Sequence, residues 1–302
     1  MGELSPLKGL RCLVTGGSGF IGATLLRRLQ AGGATVMAPS STELDVTRME
    51  TAEECFATHE PDIVFHLAAK GVRATSSPDI LHAVNAKGAA NVVKAASRCK
   101  SPPRLVMAGS SFEYAPLPRP LSEDDDAPGA DEYGTSKAEG RVLAMACAGG
   151  LSCFWLRPFN VYGTGEPLPR LLPYLVDCAL NGKVADVTEG LQMRDYLRVE
   201  DLAECMVRTA LIPPAHARWE LMNLGSGSPV SVRDFIKSAA AALAARRLPL
   251  QVRYGGRPSR SVDEAPFIPD VSKMRRILGW MPETRLEQGV DSAIGALVSG
   301  RG

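Results

Sequence analysis

The chain has 302 residues, 45% of them hydrophobic, and a formal net charge of +1. Because 34 basic residues are balanced by 33 acidic ones, the net charge gives no indication that nucleic acid or a membrane surface is a partner. The seven cysteines stand singly, without a Cys-x-x-Cys pair or a His/Cys cluster of metal-ligand spacing, so we expect reduced thiols and no metal. The first residues lack a signal region and no apolar run approaches ~20 residues, so we expect a cytoplasmic protein.

The first predicted unit is a strand, a glycine turn and a helix. Residues 10–15 form an apolar run, the glycines Gly16, Gly19 and Gly22 follow, and apolar residues then recur with helical period. Gly16 permits a sharp turn, Gly19 lets a pyrophosphate approach the backbone, and Gly22 lets the helix pack on the strand. The helix N-terminus offers amide donors to phosphate. This context favours a dinucleotide-binding turn over an ordinary strand–helix turn.

Strands and helices alternate through the first half of the chain. The predicted strands are 11–15, 35–38, 63–67, 104–108 and 153–156, and the predicted helices lie near 20–31, 48–58, 79–99 and 133–149. Such alternation predicts an α/β fold, a Rossmann-type doubly wound parallel sheet with helices on both faces. Its ligand should lie at the carboxyl ends of the strands.

Beyond Gly163 the pattern becomes irregular and rich in proline. The predicted helices there are 168–181, 231–246 and 271–278, with short strands at 194–198 and 251–254. We therefore predict an NAD(P)-binding domain over 1–165 and a smaller α+β substrate-binding domain over 166–302. The second domain should be discontinuous, because a segment near 195–226 contains a run at 221–224 that is typical of a strand returning to the main sheet.

Tyr133 and Lys137 are four residues apart on a predicted helix and so share one face. An ammonium group beside a phenol favours the phenolate, so we expect the pKa of Tyr133 to fall toward the working pH. Such a tyrosine can give a proton to a carbinol oxygen or take one from it. A serine hydroxyl, from Ser110 or Ser111 at the end of the fourth strand, can hold that oxygen.

Taken in order, these features resemble the extended short-chain dehydrogenase/reductase family, and within it the enzymes that modify nucleotide-activated sugars. The resemblance runs over nearly the whole chain. Its other segments are 62–69, Asn85, 157–163, 194–203, 223–227, 257–258 and 270–280.

The resemblance implies roles for the residues that match the family pattern. Tyr133 would be the acid/base, Lys137 would lower its pKa and bind the nicotinamide ribose, and Ser110 or Ser111 would hold the substrate oxygen. Contacts to NADP or NAD would come from Gly16, Ser18, Gly19, Phe20, Ile21, Gly22, Ser40, Ser41, Asp45, Val46, Leu67, Ala68, Ala69, Tyr133, Lys137 and Pro158.

Phe112 departs from the pattern of the sugar 4,6-dehydratases. Those enzymes place carboxylic acids in the two positions after the catalytic threonine, where this chain has Ser111 and Phe112 and the carboxylate is displaced to Glu113. A phenyl ring cannot protonate a leaving hydroxyl, so dehydration is disfavoured. GDP-fucose synthase has a cysteine at the position of Phe112, so that activity is disfavoured too. A 4-ketoreductase or a 4-epimerase remains.

The end of the second strand bears on the cofactor. NAD enzymes commonly end it with an acidic side chain, whereas here Ser40 and Ser41 follow and would tolerate a 2′-phosphate. This favours an NADP-linked 4-ketoreductase; the alternative is an NAD-retaining 4-epimerase. A third hypothesis, a non-catalytic NAD(P)-binding regulator, is disfavoured by the complete Ser/Tyr/Lys set. Asp45 either meets the adenine ring with Val46 or caps the following helix.

The predicted substrate is a nucleotide-diphosphate sugar, whose phosphates need cationic partners. Arg194 and either Arg257 or Arg260 are the candidates, although each could instead form a surface salt bridge. Asn160 would bond a phosphate or sugar oxygen, and Phe112 would line the sugar pocket.

Two helical segments, 83–90 and 138–150, are rich in small residues. By the family resemblance they predict a homodimer that pairs through these two helices. The alternative is that both helices simply pack tightly on the sheet.

Overall fold

A computed structural model describes residues 6–71, 77–213, 219–259 and 265–299. Within these ranges the strands are β1 (Arg11–Thr15), β2 (Thr35–Met37), β3 (Ile63–His66), β4 (Arg104–Ala108), β5 (Cys153–Pro158), β6 (Val161–Tyr162), β7 (Val184–Asp186), β8 (Met193–Arg194), β9 (Leu197–Arg198), β10 (Trp219–Leu224), β11 (Val230–Ser231) and β12 (Gln251–Arg253). The helices are α1 (Phe20–Ala31), α2 (Met49–His59), α3 (Pro78–Leu81), α4 (Gly88–Ser97), α5 (Glu132–Ala148), α6 (Leu171–Leu180), α7 (Val199–Ala210), α8 (Val232–Ala245), α9 (Ser272–Leu278) and α10 (Leu286–Ser299). A π-helical turn at His82–Lys87 joins α3 to α4, and a 3₁₀ turn at Ser111–Glu113 follows β4.

Six strands form one parallel sheet in the order β10-β5-β4-β3-β1-β2. The strand β1 lies between β2 and β3, with Leu13 opposite Met37 on one side and Val64 on the other. From β1 the chain builds the sheet first in one direction and then in the other. The switch point therefore lies between β1 and β3, where the carboxyl ends of the strands leave a crevice for a ligand. The predicted doubly wound fold is confirmed.

Helices cover both faces of this sheet because its strands bury apolar side chains in both directions. Cys12 and Val14 of β1 join one buried cluster, which includes residues of α1 and α7. Leu13 points to the opposite face and joins a second cluster, which includes residues of α2, α4 and α5.

A third buried cluster belongs to the part of the chain beyond Tyr162. Helices α6, α8 and α10 pack there around residues such as Leu175, Phe235 and Val290. In contrast, β10 pairs in parallel with β5, with Met222 opposite Leu156, so this late segment returns to the main sheet.

Several elements differ from the sequence prediction. Helices α7 and α10 were not predicted, and the helix predicted near 79–99 is interrupted by the π-helical turn. Asp45 does not cap α2, which begins at Met49; its carboxylate instead accepts hydrogen bonds from the Thr47 amide and hydroxyl at 2.9 and 2.8 Å. In the described part of the chain, no helix combines the length and apolar character needed to cross a membrane.

Candidate active site

The glycine turn between β1 and α1 is shaped so that only glycine fits at two of its positions. Gly16 has a φ of +70°, and a Cβ on it would lie 2.8 Å from the Ala68 amide nitrogen. A Cβ on Gly22 would lie 2.2 Å from the Gly16 carbonyl oxygen. Because these side chains are absent, α1 starts directly behind the turn, and its first amides lie at the carboxyl edge of the sheet. The turn fits the pyrophosphate of a dinucleotide.

The end of β3 is tied to the end of β1 by Thr15. Its hydroxyl oxygen accepts a hydrogen bond from the Ala68 amide at 3.1 Å and lies 2.8 Å from Nδ1 of His66. Burial lowers the pKa of His66 to about 3, so this histidine is neutral at working pH and acts as a packing residue. Leu67, Ala68 and Ala69 therefore lie beside the glycine turn, where the resemblance predicts cofactor contacts.

Asn85 connects the segment after β3 to the helix that carries Tyr133. Its side-chain amide donates to the Lys70 carbonyl and to the Ser136 hydroxyl, both at 3.0 Å, and its oxygen accepts from the Lys70 amide at 2.9 Å. Ser136 in turn donates to the Tyr133 carbonyl at 2.7 Å. These hydrogen bonds, together with packing, thus set the position of α5 relative to the carboxyl edge of the sheet.

Ser110 and Tyr133 are brought together at the carboxyl end of β4. The side chain of Ser110 lies near enough to Tyr133 to lower the pKa of the phenol, and its Oγ accepts from the Phe112 amide at 3.2 Å. Ser111 lies in the 3₁₀ turn with 2% of its surface exposed. Of the two candidate serines, Ser110 is the one whose side chain acts on the phenol.

The pKa of Tyr133 moves in the opposite direction from the sequence expectation. Burial raises it to about 12, the Ser110 side chain opposes this effect, and the Glu113 carboxylate adds to it. The ammonium of Lys137 is buried and donates to the Ala108 carbonyl at 2.6 Å. Burial lowers the pKa of Lys137 to about 8, although Glu113 opposes this shift. In this structure Tyr133 is therefore a phenol at neutral pH.

The start of α5 is packed against the 3₁₀ turn through Gly134. A Cβ on this residue would lie 1.9 Å from the Phe112 carbonyl oxygen. Asp131 caps the helix, because its carboxylate accepts from the Gly134 amide at 2.9 Å. The close backbone approach fixes the distance between Tyr133 and Ser110.

Aromatic rings form a wall beside Tyr133. The half-buried Phe112 lies edge-on to Tyr133, with ring centroids 6.2 Å apart, and is 5.8 Å from Phe267. Phe267 in turn packs against Phe159 at 5.6 Å. The guanidinium of Arg194 lies 6.0 Å from the Phe267 ring, so the wall extends from the phenol to a cation.

The residues predicted to bind the phosphates of the substrate differ in their burial and in their hydrogen-bond partners. Arg194 has 7% of its surface exposed and donates to the Met193 and Ala265 carbonyls at 2.8 and 3.0 Å. Asn160 donates to the Asp195 carbonyl at 3.2 Å. Arg257 is exposed, and its amide donates to the Val187 carbonyl at 3.2 Å. Arg260 lies outside the described residues.

The profile of the NAD dependent epimerase/dehydratase family matches residues 12–225 of this chain. The chain belongs to this family. The putative GDP-L-fucose synthase 2 of Oryza sativa subsp. japonica is 29% identical over 94% of this chain and 85% of the relative. The UDP-glucose 4-epimerase of Mycolicibacterium smegmatis is 28% identical over 94% of this chain and 97% of the relative.

Solved structures of similar proteins agree over nearly the whole chain. MoeE5 in complex with UDP-glucuronic acid and NAD has a TM-score of 0.82 and 27% identity, covering 96% of this chain and 99% of that one. A putative epimerase from Burkholderia cenocepacia has a TM-score of 0.86 and 25% identity, covering 97% and 99%. As a member of the epimerase/dehydratase family, the chain is an NAD(P)-dependent enzyme that modifies nucleotide sugars.

A carboxylate that the sequence analysis missed lies at the end of β2. The amide and the hydroxyl of Ser40 both donate to Oε2 of Glu43, at 2.7 and 2.8 Å, and these bonds lower the pKa of Glu43. The spacing Ser-x-x-Glu, typical of a capping box, was the available signal. In this family member the Ser40 donors are therefore turned toward a carboxylate, and a 2′-phosphate would have to displace it.

Two further residues of the site were missed. Glu113 lies completely buried beneath Ser110, and Phe267 completes the aromatic wall. The spacing Ser-x-x-Glu at 110–113 was the only signal for Glu113, since its other partners, Trp155 and Arg157, are distant along the chain, and no motif identifies Phe267.

Proposed function

We propose that this family member is a 4-ketoreductase that acts on a nucleotide-diphosphate sugar, with Tyr133 as proton donor. The observation that carries the proposal is the ring of Phe112, which lies edge-on to Tyr133 at 6.2 Å and is backed by Phe267. Dehydration needs a carboxylic acid at this place to protonate the leaving hydroxyl. A phenyl ring has no such proton.

The same ring supports reduction over epimerisation. An epimerase must let the keto sugar turn so that both of its faces meet the nicotinamide. Phe112 is wedged between Tyr133 and Phe267, so it narrows the space beside the proton donor. A sugar held in one orientation against this wall would be reduced on one face only.

The protonation state of Tyr133 also supports a reductase. With its pKa raised to about 12, Tyr133 carries its proton at neutral pH and can donate it to a carbonyl oxygen. Ser110, whose side chain lies beside the phenol, would hold that oxygen in line. The glycine turn and Lys137 would hold the nicotinamide cofactor, which supplies the hydride when it is bound. An epimerase would instead need Tyr133 to begin as a base.

The aromatic wall runs from the proton donor to a cationic side chain, so an extended substrate can lie along it. Phe267 lies between Phe112 and Arg194, at 5.8 Å from the ring and 6.0 Å from the guanidinium. A sugar at Tyr133 could therefore extend its diphosphate toward Arg194, whose planar fork suits phosphate oxygens. Since Arg194 and Phe267 both come from the later part of the chain, we assign residues 166–302 to substrate binding, except for the segment near 195–226 that returns to the cofactor-binding domain.

An NAD-retaining 4-epimerase is the second candidate, and the contact between Glu43 and Ser40 favours it. A carboxylate at the end of β2 repels the 2′-phosphate of NADP and can accept a hydrogen bond from the ribose hydroxyl of NAD. This weakens the preference for NADP that Ser40 and Ser41 suggested. The aromatic wall and the phenol still favour net reduction.

To test this function, the purified protein is incubated with UDP-, GDP- and dTDP-linked 4-keto sugars in the presence of NADPH or NADH. We expect loss of the reduced nicotinamide absorbance in proportion to the keto sugar consumed. In a parallel reaction, the protein is incubated with UDP-glucose and NAD, and the configuration at C4 of the sugar is followed by NMR. Interconversion of C4 epimers without net cofactor consumption, together with no reduction of any keto sugar, would overturn the proposal in favour of the epimerase.

The activity should depend on pH through Lys137. Its pKa is lowered to about 8 by burial, so the ammonium is charged below that pH and neutral above it. Because the charged form would bind the nicotinamide ribose, we expect kcat/KM for reduction to fall as pH rises through about 8. A profile that stays flat through this range would contradict the role assigned to Lys137.

We propose that the enzyme is a homodimer that pairs through α4 and α5. Apolar side chains are exposed on α5, where Val142, Leu143 and Met145 have 48%, 38% and 46% of their surfaces exposed. A second copy would cover them. Light scattering that gives the mass of a monomer at micromolar concentration would contradict this assembly.

A further inference from the structure

Glu113 carries a carboxylate in the core of the enzyme, directly under the proposed proton donor. None of its surface is exposed, and both oxygens are used. Oε1 accepts from the Ser110 amide at 2.9 Å and from the Trp155 indole at 2.8 Å. Oε2 accepts from Arg157 Nε at 2.8 Å and lies 3.5 Å from Arg141 Nε. A carboxylate buried this deeply persists only when it is paired and fully hydrogen-bonded, as this one is.

The surrounding chain makes room for this carboxylate. A Cβ on Gly109 would lie 2.4 Å from Glu113 Oε1 and 2.3 Å from the Trp155 indole nitrogen. Arg157, which is 1% exposed, also lies over the Tyr114 ring at 4.2 Å. Residues that directly follow β4 and residues of β5 and α5 thus surround one side chain, and its carboxylate accepts from the backbone amide of Ser110.

We propose that Glu113 is a positioning residue whose buried carboxylate fixes the backbone of Ser110 and so places the Ser110 hydroxyl beside Tyr133. Ser110 and Glu113 form a reciprocal capping box: the Glu113 carboxylate fixes the Ser110 amide, while Ser110 Oγ accepts from the Phe112 amide. The backbone of Glu113 adds a second tie, because its carbonyl accepts from the Gly129 amide at 2.8 Å, in the segment that leads to α5. The inference rests on the proposed proton transfer from Tyr133.

Glu113 also acts on the charges of the site. Its negative charge raises the pKa of Tyr133 and of Lys137. Around Tyr133, Arg170 lowers the phenol pKa and Asp131 raises it, in addition to the effect of the Ser110 side chain. Lys137 faces His66, which is neutral because burial lowers its pKa to about 3. Loss of the carboxylate should therefore move the basic limb of the pH profile to lower pH.

Two variants separate the charge of Glu113 from its hydrogen bonds. Glu113→Gln keeps an oxygen that can accept from the Ser110 amide but removes the charge. The double variant Glu113→Met with Arg157→Met removes both charges and the acceptor, and replaces the buried pair by apolar side chains of similar volume, a change that cores often tolerate. Thermal unfolding and NADPH binding report whether each variant is folded.

We expect the double variant to lose about a hundredfold in kcat with little change in KM, because Ser110 is no longer held in line. The Glu113→Gln variant should lose less of its kcat. The basic limb of its pH profile should still lie at lower pH than that of the wild type. Should either folded variant show wild-type kcat and a wild-type pH limb, the inference is overturned. Tyr133→Phe serves as the reference: full turnover in that variant would overturn the proposed function, and with it this role of Glu113.

Discussion

Tyr133→Phe should lower kcat for ketone reduction by roughly 100- to 10,000-fold, the usual contribution of a positioned proton donor. The variant loses only the hydroxyl and keeps the ring that packs edge-on against Phe112. Thermal stability and NADPH affinity should therefore change little. Stopped-flow measurement of reduced nicotinamide, with a 4-keto sugar nucleotide in excess, separates the chemical step from binding.

Tyr254→Phe is the matched control for this variant. Tyr254 follows β12 and packs under the guanidinium of Arg233 at 4.3 Å, so the same hydroxyl is removed from a different ring. Its turnover should equal that of the wild type. Equal turnover in Tyr133→Phe and Tyr254→Phe would remove Tyr133 from the mechanism.

Gly134→Ala should damage both stability and catalysis. The added methyl would lie 1.9 Å from the Phe112 carbonyl oxygen, and a backbone atom cannot turn away as a flexible side chain can. Overpacking of this kind costs about 1–3 kcal/mol, and here the N-terminus of α5 must shift to relieve it. Since Tyr133 precedes Gly134, the phenol moves relative to Ser110, and we expect about a hundredfold loss in kcat as well.

Gly150→Ala gives the comparison for that substitution. Gly150 lies just past the end of α5, and a Cβ on it would meet nothing within 4 Å. Differential scanning calorimetry should show a lowered Tm for Gly134→Ala and little change for Gly150→Ala. Wild-type Tm and turnover in Gly134→Ala would mean that the helix can shift without disturbing the site.

The central strands of the sheet could be predicted because they carry apolar runs, several of them next to glycine or proline. The run 104–108 and the glycine turn at Gly16 gave elements whose existence the structure confirms. Helix α7 could also have been found, since Leu202, Met206 and Ala210 recur with helical period.

The electrostatics of the site could not be predicted in the same way. The pKa of Tyr133 was expected to fall because Lys137 is four residues away, but spacing does not report burial or the direction of an ammonium group. In the structure that ammonium donates to Ala108, and burial dominates the phenol. Glu113 illustrates the same limit, because Trp155 and Arg157, which bond its carboxylate, belong to another strand.

The local contact between Ser40 and Glu43 is a different case. Both residues lie in one short segment, and the Ser-x-x-Glu spacing was visible in the sequence. The residues directly after β2, at 38–42, include no acid. A carboxylate that folds back from three positions later was therefore overlooked, and with it an argument for NAD.

The central claim, net reduction at C4 with Tyr133 as proton donor, is tested most directly by following the hydride. NADPH carrying deuterium at C4 of the nicotinamide, on whichever face the enzyme uses, is mixed with a 4-keto sugar nucleotide, and the product is examined by NMR. We expect one deuterium at C4 of the sugar, in a single configuration, for each NADP formed. Recovery of the 4-keto sugar with NADPH unconsumed, or a product that carries deuterium at C4 in both configurations, would contradict the claim.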